Sequence, residues 1–172
     1  MSNTKVELLT QLHDREGFDC ETEALNLYIK KSAFQQQKRN TAKTHVLTFK
    51  GNNVPILAFI TLNVCEIDVS LDKNHLYFKS LPNTIPALRL CRLAVDKKYQ
   101  KLGLSHHLMG FTLAKALELS QSVGCAGIVV DAKDNSAKEY YKKFGFQTLS
   151  SKPLTLFISM KTIVKLVSRD SA

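Results

Sequence analysis

No apolar run in this sequence approaches the roughly 20 residues that a membrane-spanning helix needs. The start, Met1-Ser2-Asn3-Thr4-Lys5-Val6-Glu7, lacks the basic end and apolar stretch of a secretory signal. There is no repeat, no low-complexity segment and no linker rich in proline, glycine or serine. We therefore expect a single cytosolic domain over residues 1–172, with no membrane association and a frayed tail from about residue 166.

Cysteine is scarce and scattered, at positions 20, 65, 91 and 125. No two cysteines form a Cys-x-x-Cys pair, and no histidine cluster lies beside them, so the sequence predicts no zinc site or other metal site. Isolated cysteines in a cytosolic protein typically act as small, buried apolar residues.

Acidic residues are missing from two long stretches. The chain has 24 Lys and Arg against 15 Asp and Glu, a formal charge of +9. Residues 28–50 contain no acid, and residues 79–115 contain only Asp96. Such segregation favours a polyanionic partner, which is a nucleic acid, a phosphate-rich cofactor or an acidic protein. A solvated basic face without a partner is the alternative.

The pattern of apolar residues predicts an α/β chain around a mixed sheet. The predicted elements are one or two short helices over 22–38, a hairpin of 45–49 with 54–64, a central strand at 88–95, a helix at 104–123, a buried strand at 127–132, a short helix from a Ser136 capping box to Phe144, and closing strands at 146–149 and 154–160.

The stretch from Val95 to Ser105 joins the central strand to the long helix through a glycine and several basic residues. The start of a helix offers unpaired N–H groups and the positive end of its dipole. Gly103 allows close approach to the backbone, and Lys101 adds positive charge. These features predict a phosphate-binding turn, although the spacing matches neither a Walker A loop nor Gly-x-Gly-x-x-Gly.

Two stretches resemble the signatures of the GNAT superfamily of N-acetyltransferases. Gln100-x-x-Gly103-x-Ser105 resembles its pyrophosphate loop, (Arg or Gln)-x-x-Gly-x-(Gly or Ala), with serine at the last position. Residues 135–146 resemble its Ala-x-x-(Phe or Tyr)-Tyr-x-x-x-Gly-Phe signature. The resemblance implies an acyltransferase that uses acetyl-CoA without a metal. It also implies the GNAT fold, a central, twisted, mostly antiparallel sheet flanked by helices.

Further stretches resemble a narrower group, the acetyltransferase toxins of bacterial type II toxin–antitoxin systems. These stretches are 17–20 (Gly-Phe-Asp-Cys), 24–30, 41–44 and 153–160, and the likeness extends over roughly residues 5–165. Glu21 stands where the group often has glycine. The resemblance implies acetylation of the α-amino group of aminoacyl-tRNA, which blocks translation. It also implies neutralisation by a ribbon-helix-helix antitoxin and a homodimer.

The resemblance implies a role for each matching residue. Leu93, Ala94 and Val95 match the strand that pairs with the pantetheine arm, and Asn135 matches a position near the pantetheine or its thiol. Residues of the turn that match the pyrophosphate site are Gln100, Lys101, Leu102, Gly103, Leu104 and Ser105. Tyr141 matches the tyrosine that protonates the departing sulfur, a role suited to a phenol with a pKa of about 10. A core position for Tyr141 beside Phe144 and Phe146 is the alternative.

Other candidates for catalysis are weaker. His106 and His107 are more typical of surface or half-buried helix positions, and Glu66 is not assigned as a base. The α-amino group of an aminoacyl ester is less basic than a lysine amine and needs little help to lose its proton.

The predicted RNA-facing set is Lys30, Lys31, Lys38, Arg39, Arg89 and Arg92, because Lys and Arg neutralise tRNA phosphates. Two other functions stay open. One is a GNAT enzyme that acts on a protein or small-molecule amine. The other is a non-catalytic GNAT-like module that binds RNA or an operator.

Overall fold

The computed structural model describes residues 3–52 and 54–170. The strands in this part of the chain are β1 Thr4–Leu8, β2 Lys43–Phe49, β3 Ala58–Asp68, β4 Thr84–Val95, β5 Gly127–Asp131, β6 Gln147–Thr148 and β7 Thr155–Ser159. The α-helices are α1 Glu23–Leu27, α2 Ala33–Lys38, α3 Leu104–Ser120, α4 Asn135–Lys142 and α5 Met160–Asp170. A π-helical turn at Tyr28–Ser32 links α1 to α2, and 3₁₀ turns occupy Ser70–Asp72 and Lys97–Tyr99.

Hydrogen bonds join the strands in the order β1-β2-β3-β4-β5-β7-β6. The pairs β1–β2, β2–β3, β5–β7 and β6–β7 are antiparallel, whereas β4 and β5 are parallel. A parallel pair needs a long crossover between its strands, and α3 supplies it here. The predictions of an α/β fold, a mostly antiparallel mixed sheet and a β2–β3 hairpin are confirmed.

The sequence-based predictions missed a strand and a helix and placed the end of α3 too late. The chain starts with strand β1, which pairs with β2, rather than with a helix. The predicted frayed tail is helical, because α5 continues to Asp170, whereas residues 171–172 lie outside the described part. The apolar residues Met160, Ile163, Val164 and Val167 have helical spacing and were the missed signal. α3 ends at Ser120 and not at residue 123.

Contacts divide the chain into two compact units. The first unit contains the described residues of 1–63 and 91–111, and the second contains those of 64–90 and 112–172. A single domain over residues 1–172 therefore stays a prediction. Within the described residues, no helix combines the length and apolar character required for crossing a membrane.

The core of the first unit packs the segment before β2 against β2, β3 and the end of β4. Phe18 and Phe59 are almost completely buried, and their rings meet edge to face with centres 5.2 Å apart. Tyr28, Val46 and Ala94 belong to the same cluster. Burial of each large apolar side chain contributes about 2 kcal/mol to folding. This cluster therefore anchors the end of β4, from which the predicted phosphate turn begins.

The core of the second unit lies around β5 and β7. Val129 of β5 and Phe157 of β7 are buried in this core. Phe78 packs on Phe157, with ring centres 5.3 Å apart. The loop between β3 and β4 is closed by Lys73, whose amine donates to the carbonyls of residues 78, 81 and 82. Buried Asp72 accepts hydrogen bonds from the Ser151 N–H and hydroxyl, so this loop is fastened to the rest of the unit.

Candidate active site

The turn that joins β4 to α3 presents a row of backbone N–H groups. Lys101 and Gly103 have φ angles of 63° and 76°, in the left-handed region. Within residues 3–52 and 54–170, no hydrogen bond is donated by the N–H groups from Lys101 to Ser105. α3 begins at buried Leu104, and the positive end of its dipole adds to these donors. Such an arrangement suits an anion with several oxygens, as a diphosphate has.

The side chains of the turn divide into braces and exposed charges. Gln100 donates its Nε2 amide to the Val95 carbonyl at 3.3 Å, which ties the turn to the end of β4. Lys97 is ion-paired with Asp19 at 2.8 Å. Lys98 and Lys101 are exposed, and neither has an ion pair within the described residues. These two lysines are therefore available to an anion at the turn.

Leu93, Ala94 and Val95 form the last three residues of β4. Ala94 is buried in the core of the first unit, whereas the alternating Leu93 and Val95 are half-buried. The parallel pairing of β4 with β5 covers Leu88 to Leu90. The three candidate residues therefore follow this paired stretch along β4, close in sequence to the phosphate turn.

The helix that carries Tyr141 is capped differently from the sequence prediction. The Asp134 side chain accepts a hydrogen bond from the Ala137 N–H at 2.8 Å and is the N-cap of α4. Asn135 is the first helical residue and is exposed. The predicted Ser136 capping box is wrong, because the earlier carboxylate reaches the same kind of orphan N–H group and starts the helix before Ser136.

Tyr141 lies on α4 with only 8% of its surface exposed. Its ring meets the Tyr140 ring edge to face at 5.3 Å and the Phe146 ring at 5.8 Å. The hydroxyl makes no hydrogen bond to a described residue. Burial, with a smaller contribution from Tyr140, raises the pKa of Tyr141 to about 12. The phenol is therefore fully protonated near neutral pH and is a proton donor for which no described residue competes.

The predicted RNA-facing set is divided between the two units. Lys30, Lys31 and Lys38 lie on the continuous helical segment from the π-helical turn to the end of α2, and Arg39 is the C-cap that follows it. Arg92, on β4, stacks its guanidinium over the Tyr28 ring, 3.8 Å from the ring centre. These five residues belong to the first unit. Tyr28 is held in turn by the hydrogen bond that its hydroxyl donates to Gln36.

Arg89 belongs to the second unit and is engaged with an acid. Its guanidinium forms an ion pair with Asp131 on the neighbouring strand β5, and the Thr155 hydroxyl donates to the same carboxylate. Arg89 therefore has part of its charge neutralised by an acid of the same chain, and it is the member of the set for which the described residues show an ion pair.

Arg15 joins this basic surface although the sequence did not predict it. Its guanidinium lies 5.6 Å from the centre of the Phe34 ring, and the Lys38 amine lies 4.8 Å from the same centre. Arg15 also donates a hydrogen bond to the Lys30 carbonyl. Its position in a short loop between Asp14 and Glu16 concealed it, because neighbouring acids in the sequence hide a cation that joins a basic surface only on folding.

The residues not assigned as bases lie on regular elements. His106 and His107 occupy the first turn of α3, where their N–H groups bond to the Gly103 carbonyl. Glu66 is exposed on β3. The geometry thus gathers two sets of site residues, the phosphate turn with the end of β4 in the first unit, and α4 with Asn135 and Tyr141 in the second.

A family model described as acetyltransferase (GNAT) domain matches residues 72–160, just over half of the chain. This chain belongs to the GNAT acetyltransferase family. The matched segment contains the phosphate turn and α4 with Tyr141.

The chain is also similar, over most of its length, to individual GNAT proteins and solved structures. It is 26% identical over 153 residues to a tRNA-acetylating toxin of Mycobacterium tuberculosis, covering 89% of this chain and 90% of the toxin. The structure of AtaT complexed with acetyl-methionyl-tRNAfMet matches at a TM-score of 0.87 and 28% identity, covering 95% of this chain and 99% of that one. A tyrosine-to-phenylalanine mutant of AtaT, bound to the C-terminus of the antitoxin AtaR and acetyl-CoA, matches at a TM-score of 0.82 and 26% identity, covering 95% and 98%.

The residues of this GNAT chain suit the acetyl donor of the family, acetyl-CoA. The free N–H groups from Lys101 to Ser105 and the left-handed backbone at Gly103 suit its diphosphate. The buried phenol of Tyr141 suits a thiolate that must receive a proton. Each unit therefore contains one chemical requirement of acetyl transfer.

Proposed function

We propose that this protein is a toxin that transfers the acetyl group of acetyl-CoA to the α-amino group of aminoacyl-tRNA and so blocks translation. The observation that carries the proposal is the likeness, over 95% of the chain, to a toxin solved with its acetylated methionyl-tRNA. Both substrates are found in the cytosol, where we expect the protein to act.

The donor is held by the backbone more than by side chains in this proposal. The N–H groups of Gln100, Lys101, Leu102, Gly103, Leu104 and Ser105 form the diphosphate site, and Lys101 adds charge. Leu93, Ala94 and Val95 offer strand N–H and C=O groups to the pantetheine arm, and Asn135 lies near its thiol end. Among the described residues, the N–H groups from Lys101 to Ser105 donate no hydrogen bond, which supports this assignment.

Tyr141 is the general acid in the proposed reaction. Acetyl-CoA supplies the acyl group as a thioester, whose carbonyl carbon is attacked by the free amine. The new C–N bond forms as the C–S bond breaks, and the proton of the Tyr141 hydroxyl passes to the departing sulfur. The pKa of about 12 keeps that proton on the oxygen until the thiolate develops. The proton lost by the amine leaves to solvent, since the α-amino group of an aminoacyl ester is weakly basic.

The acceptor stem of tRNA is proposed to lie on the basic residues Lys30, Lys31, Lys38, Arg39, Arg89 and Arg92. The formal charge of +9 and the concentration of five of these cations in one unit support the assignment. Stacking of Arg92 on Tyr28 supports it further, because a stacked guanidinium keeps its N–H edges free for phosphate oxygens.

The same positive charge suits an inhibitor of opposite sign. We propose a ribbon-helix-helix antitoxin whose acidic, disordered tail covers the active site, and a homodimer as the acting form. The solved complex of AtaT with the C-terminus of its antitoxin supports a tail-bound inhibitor.

The decisive experiment follows labelled acetyl from acetyl-CoA into total tRNA, charged and uncharged in parallel. We expect label on charged tRNA only, with loss of most of the rate in Tyr141→Phe. Tyr140→Phe is the matched control, because it removes a neighbouring hydroxyl from the same helix, and we expect it to retain activity.

Two other outcomes separate the alternatives. Protein that binds acetyl-CoA but labels neither tRNA is a GNAT enzyme for a protein or small-molecule amine. Protein that binds RNA or operator DNA without any acetyl transfer is a non-catalytic module, and the assignment of Tyr141 fails with it.

A further inference from the structure

A polar network ties the loop before α1 to the phosphate turn, within the first unit. The Asp19 carboxylate accepts hydrogen bonds from the Glu21 N–H and from the Asn26 amide, both at 2.9 Å. Its other oxygen pairs with the Lys97 amine at 2.8 Å. One carboxylate therefore collects three donors, of which one comes from the turn between β4 and α3.

Backbone N–H groups of both segments also donate hydrogen bonds to the other segment. The Asp19 N–H donates to the Asp96 carboxylate at 3.0 Å, although the two residues are 77 positions apart. The Lys97 N–H donates to the Asp19 carbonyl at 2.8 Å. The second oxygen of Asp96 accepts from the Lys98 N–H at 2.9 Å. Asp96 is thus shared between the loop and the turn.

Burial makes these contacts costly to lose. Asp96 is 3% exposed and Asn26 is 8% exposed. The side-chain Oδ1 of Asn26 accepts a hydrogen bond from the Cys20 N–H at 2.9 Å, so the Asn26 side chain bridges Cys20 and Asp19. Removal of one partner would leave a buried polar group unpaired, which is more destabilising than the loss of an exposed contact. The network therefore restrains residues 96–98 more firmly than an ordinary surface turn.

The charges of the network explain why carboxylates are tolerated beside a phosphate site. Lys97 hydrogen-bonds to Asp19 and holds the pKa of that carboxyl well below its usual range. Each oxygen of the Asp96 carboxylate accepts a hydrogen bond from one backbone N–H group. Lys98 and Lys101, which have no ion pair among the described residues, remain for the anion. Asp19 and Asp96 can thus shape the turn while their charges are locally compensated.

We propose that Asp19 and Asp96 are positioning residues for acetyl-CoA, because they lock the start of the β4–α3 turn so that its free N–H groups are already aimed at the diphosphate. The inference deepens the proposed function and rests on its assignment of the turn to the cofactor. Neither carboxylate touches the reacting atoms. Their contribution is preorganisation, which lowers the cost of ordering the turn when the cofactor binds.

The test compares donors with and without a diphosphate. Asp19→Asn removes the charge that pairs with Lys97, and Lys97→Gln breaks the same ion pair at an exposed position. Lys5→Gln is the matched control, since it breaks the half-buried Lys5–Glu7 ion pair of 2.9 Å in the same unit. Acetyl-CoA affinity is measured by calorimetry, and kcat and KM are measured with acetyl-CoA and with S-acetylpantetheine, which lacks the diphosphate.

We expect Asp19→Asn to raise the Kd and KM for acetyl-CoA about tenfold, with kcat nearly unchanged. We expect Lys97→Gln to raise the same two constants about threefold. Factors of this size correspond to the loss of one or two hydrogen bonds between the turn and the diphosphate. Both variants should keep wild-type kcat/KM with S-acetylpantetheine, and Lys5→Gln should match wild type throughout. Equal losses with both donors, or unchanged acetyl-CoA affinity in both variants, would overturn the proposal.

The test of the positioning role can be decided independently of the test of tRNA acetylation. If wild-type protein binds acetyl-CoA but does not acetylate charged tRNA, the tRNA assignment fails, and calorimetry alone still decides the positioning role. If Asp19→Asn does not fold, Lys97→Gln supplies the answer, because its side chain is 47% exposed and is not required for the core.

Discussion

The guanidinium of Arg92 lies 3.8 Å from the centre of the Tyr28 ring, and so β4 and the π-helical turn meet through a cation–π contact. Tyr28 is 5% exposed and packs in the core, with Phe59 6.3 Å away between ring centres. The core thus fixes the plane on which Arg92 lies. A cation ordered in this way loses little side-chain entropy when it binds a phosphate.

Arg92→Gln is expected to weaken tRNA binding about fivefold at moderate salt, a loss of about 1 kcal/mol. Because one phosphate contact disappears, the slope of log affinity against log salt should become shallower by about one. The tRNA affinity of Arg92→Lys should lie between those of the wild type and Arg92→Gln, since lysine keeps the charge but loses the planar stacking on Tyr28. Filter binding over a range of salt measures both quantities. An unchanged slope in Arg92→Gln would remove Arg92 from the RNA-facing set.

The Phe34 ring orders two cations, Arg15 and Lys38, and only Lys38 was predicted from the sequence. We expect Arg15→Gln to weaken tRNA binding by about the same factor as Lys38→Gln, a few-fold each, because both remove one charge beside the same ring. Lys165→Gln, which removes one exposed charge from α5, is the control. Weaker tRNA binding by Lys38→Gln, together with wild-type tRNA binding by Arg15→Gln, would show that Arg15 only packs on Phe34 and does not contact the RNA.

The raised pKa of Tyr141 predicts a specific alkaline behaviour. Since the folded pKa is about 12 and an unfolded tyrosine titrates near 10, the unfolded state loses its proton first as the pH rises. Stability contributed by the neutral phenol is complete below pH 10 and is lost between pH 10 and 12. The free energy of unfolding of the wild type should therefore fall by up to about 3 kcal/mol more than that of Tyr141→Phe across this range. Urea unfolding of both proteins at each pH measures the difference.

The same pKa governs the rate. With Tyr141 as the acid, kcat/KM on charged tRNA should show no fall below about pH 10 that belongs to this group, because the phenol stays protonated. A descending limb centred between pH 8 and 9 that disappears in Tyr141→Phe would contradict this role.

Asp134, and not Ser136, should control the start of α4. Asp134→Ala removes the hydrogen bond to the Ala137 N–H and should destabilise the protein by about 1 kcal/mol. Because α4 carries Tyr141, the acetyl transfer rate should fall as well. Ser136→Ala is the matched control and should leave thermal stability unchanged. Equal destabilisation by the two substitutions would restore the sequence-based assignment of the cap.

Features with local causes were predictable. The phosphate turn follows from Gly103 and its neighbours, and the structure gives Gly103 the left-handed φ of 76°. The β2–β3 hairpin and α3 follow from apolar periodicity, which depends on residues close together in the chain. The motif that contains Tyr141 is equally local, whereas the burial that raises its pKa is not.

Features that depend on distant residues were missed or misjudged. Strand β1 is short and becomes a strand only by pairing with β2, so its five residues carry a weak signal by themselves. At the start of α4, two cap-forming residues compete, and sequence preference alone ranks Asp134 and Ser136 as near equals. The geometry of the loop decided between them.

The sequence by itself determined the local chemistry of this protein, namely a basic chain with a phosphate turn, a phenol in a family signature and the order of most helices and strands. Only the tertiary structure decided which charges act alone and which are paired. It placed Asp19 against Asp96 across 77 residues, Arg89 against Asp131, and Arg15 beside Lys38. The physical reason is that hydrogen bonds, ion pairs and burial depend on distance in space, which the core imposes and no local sequence pattern records.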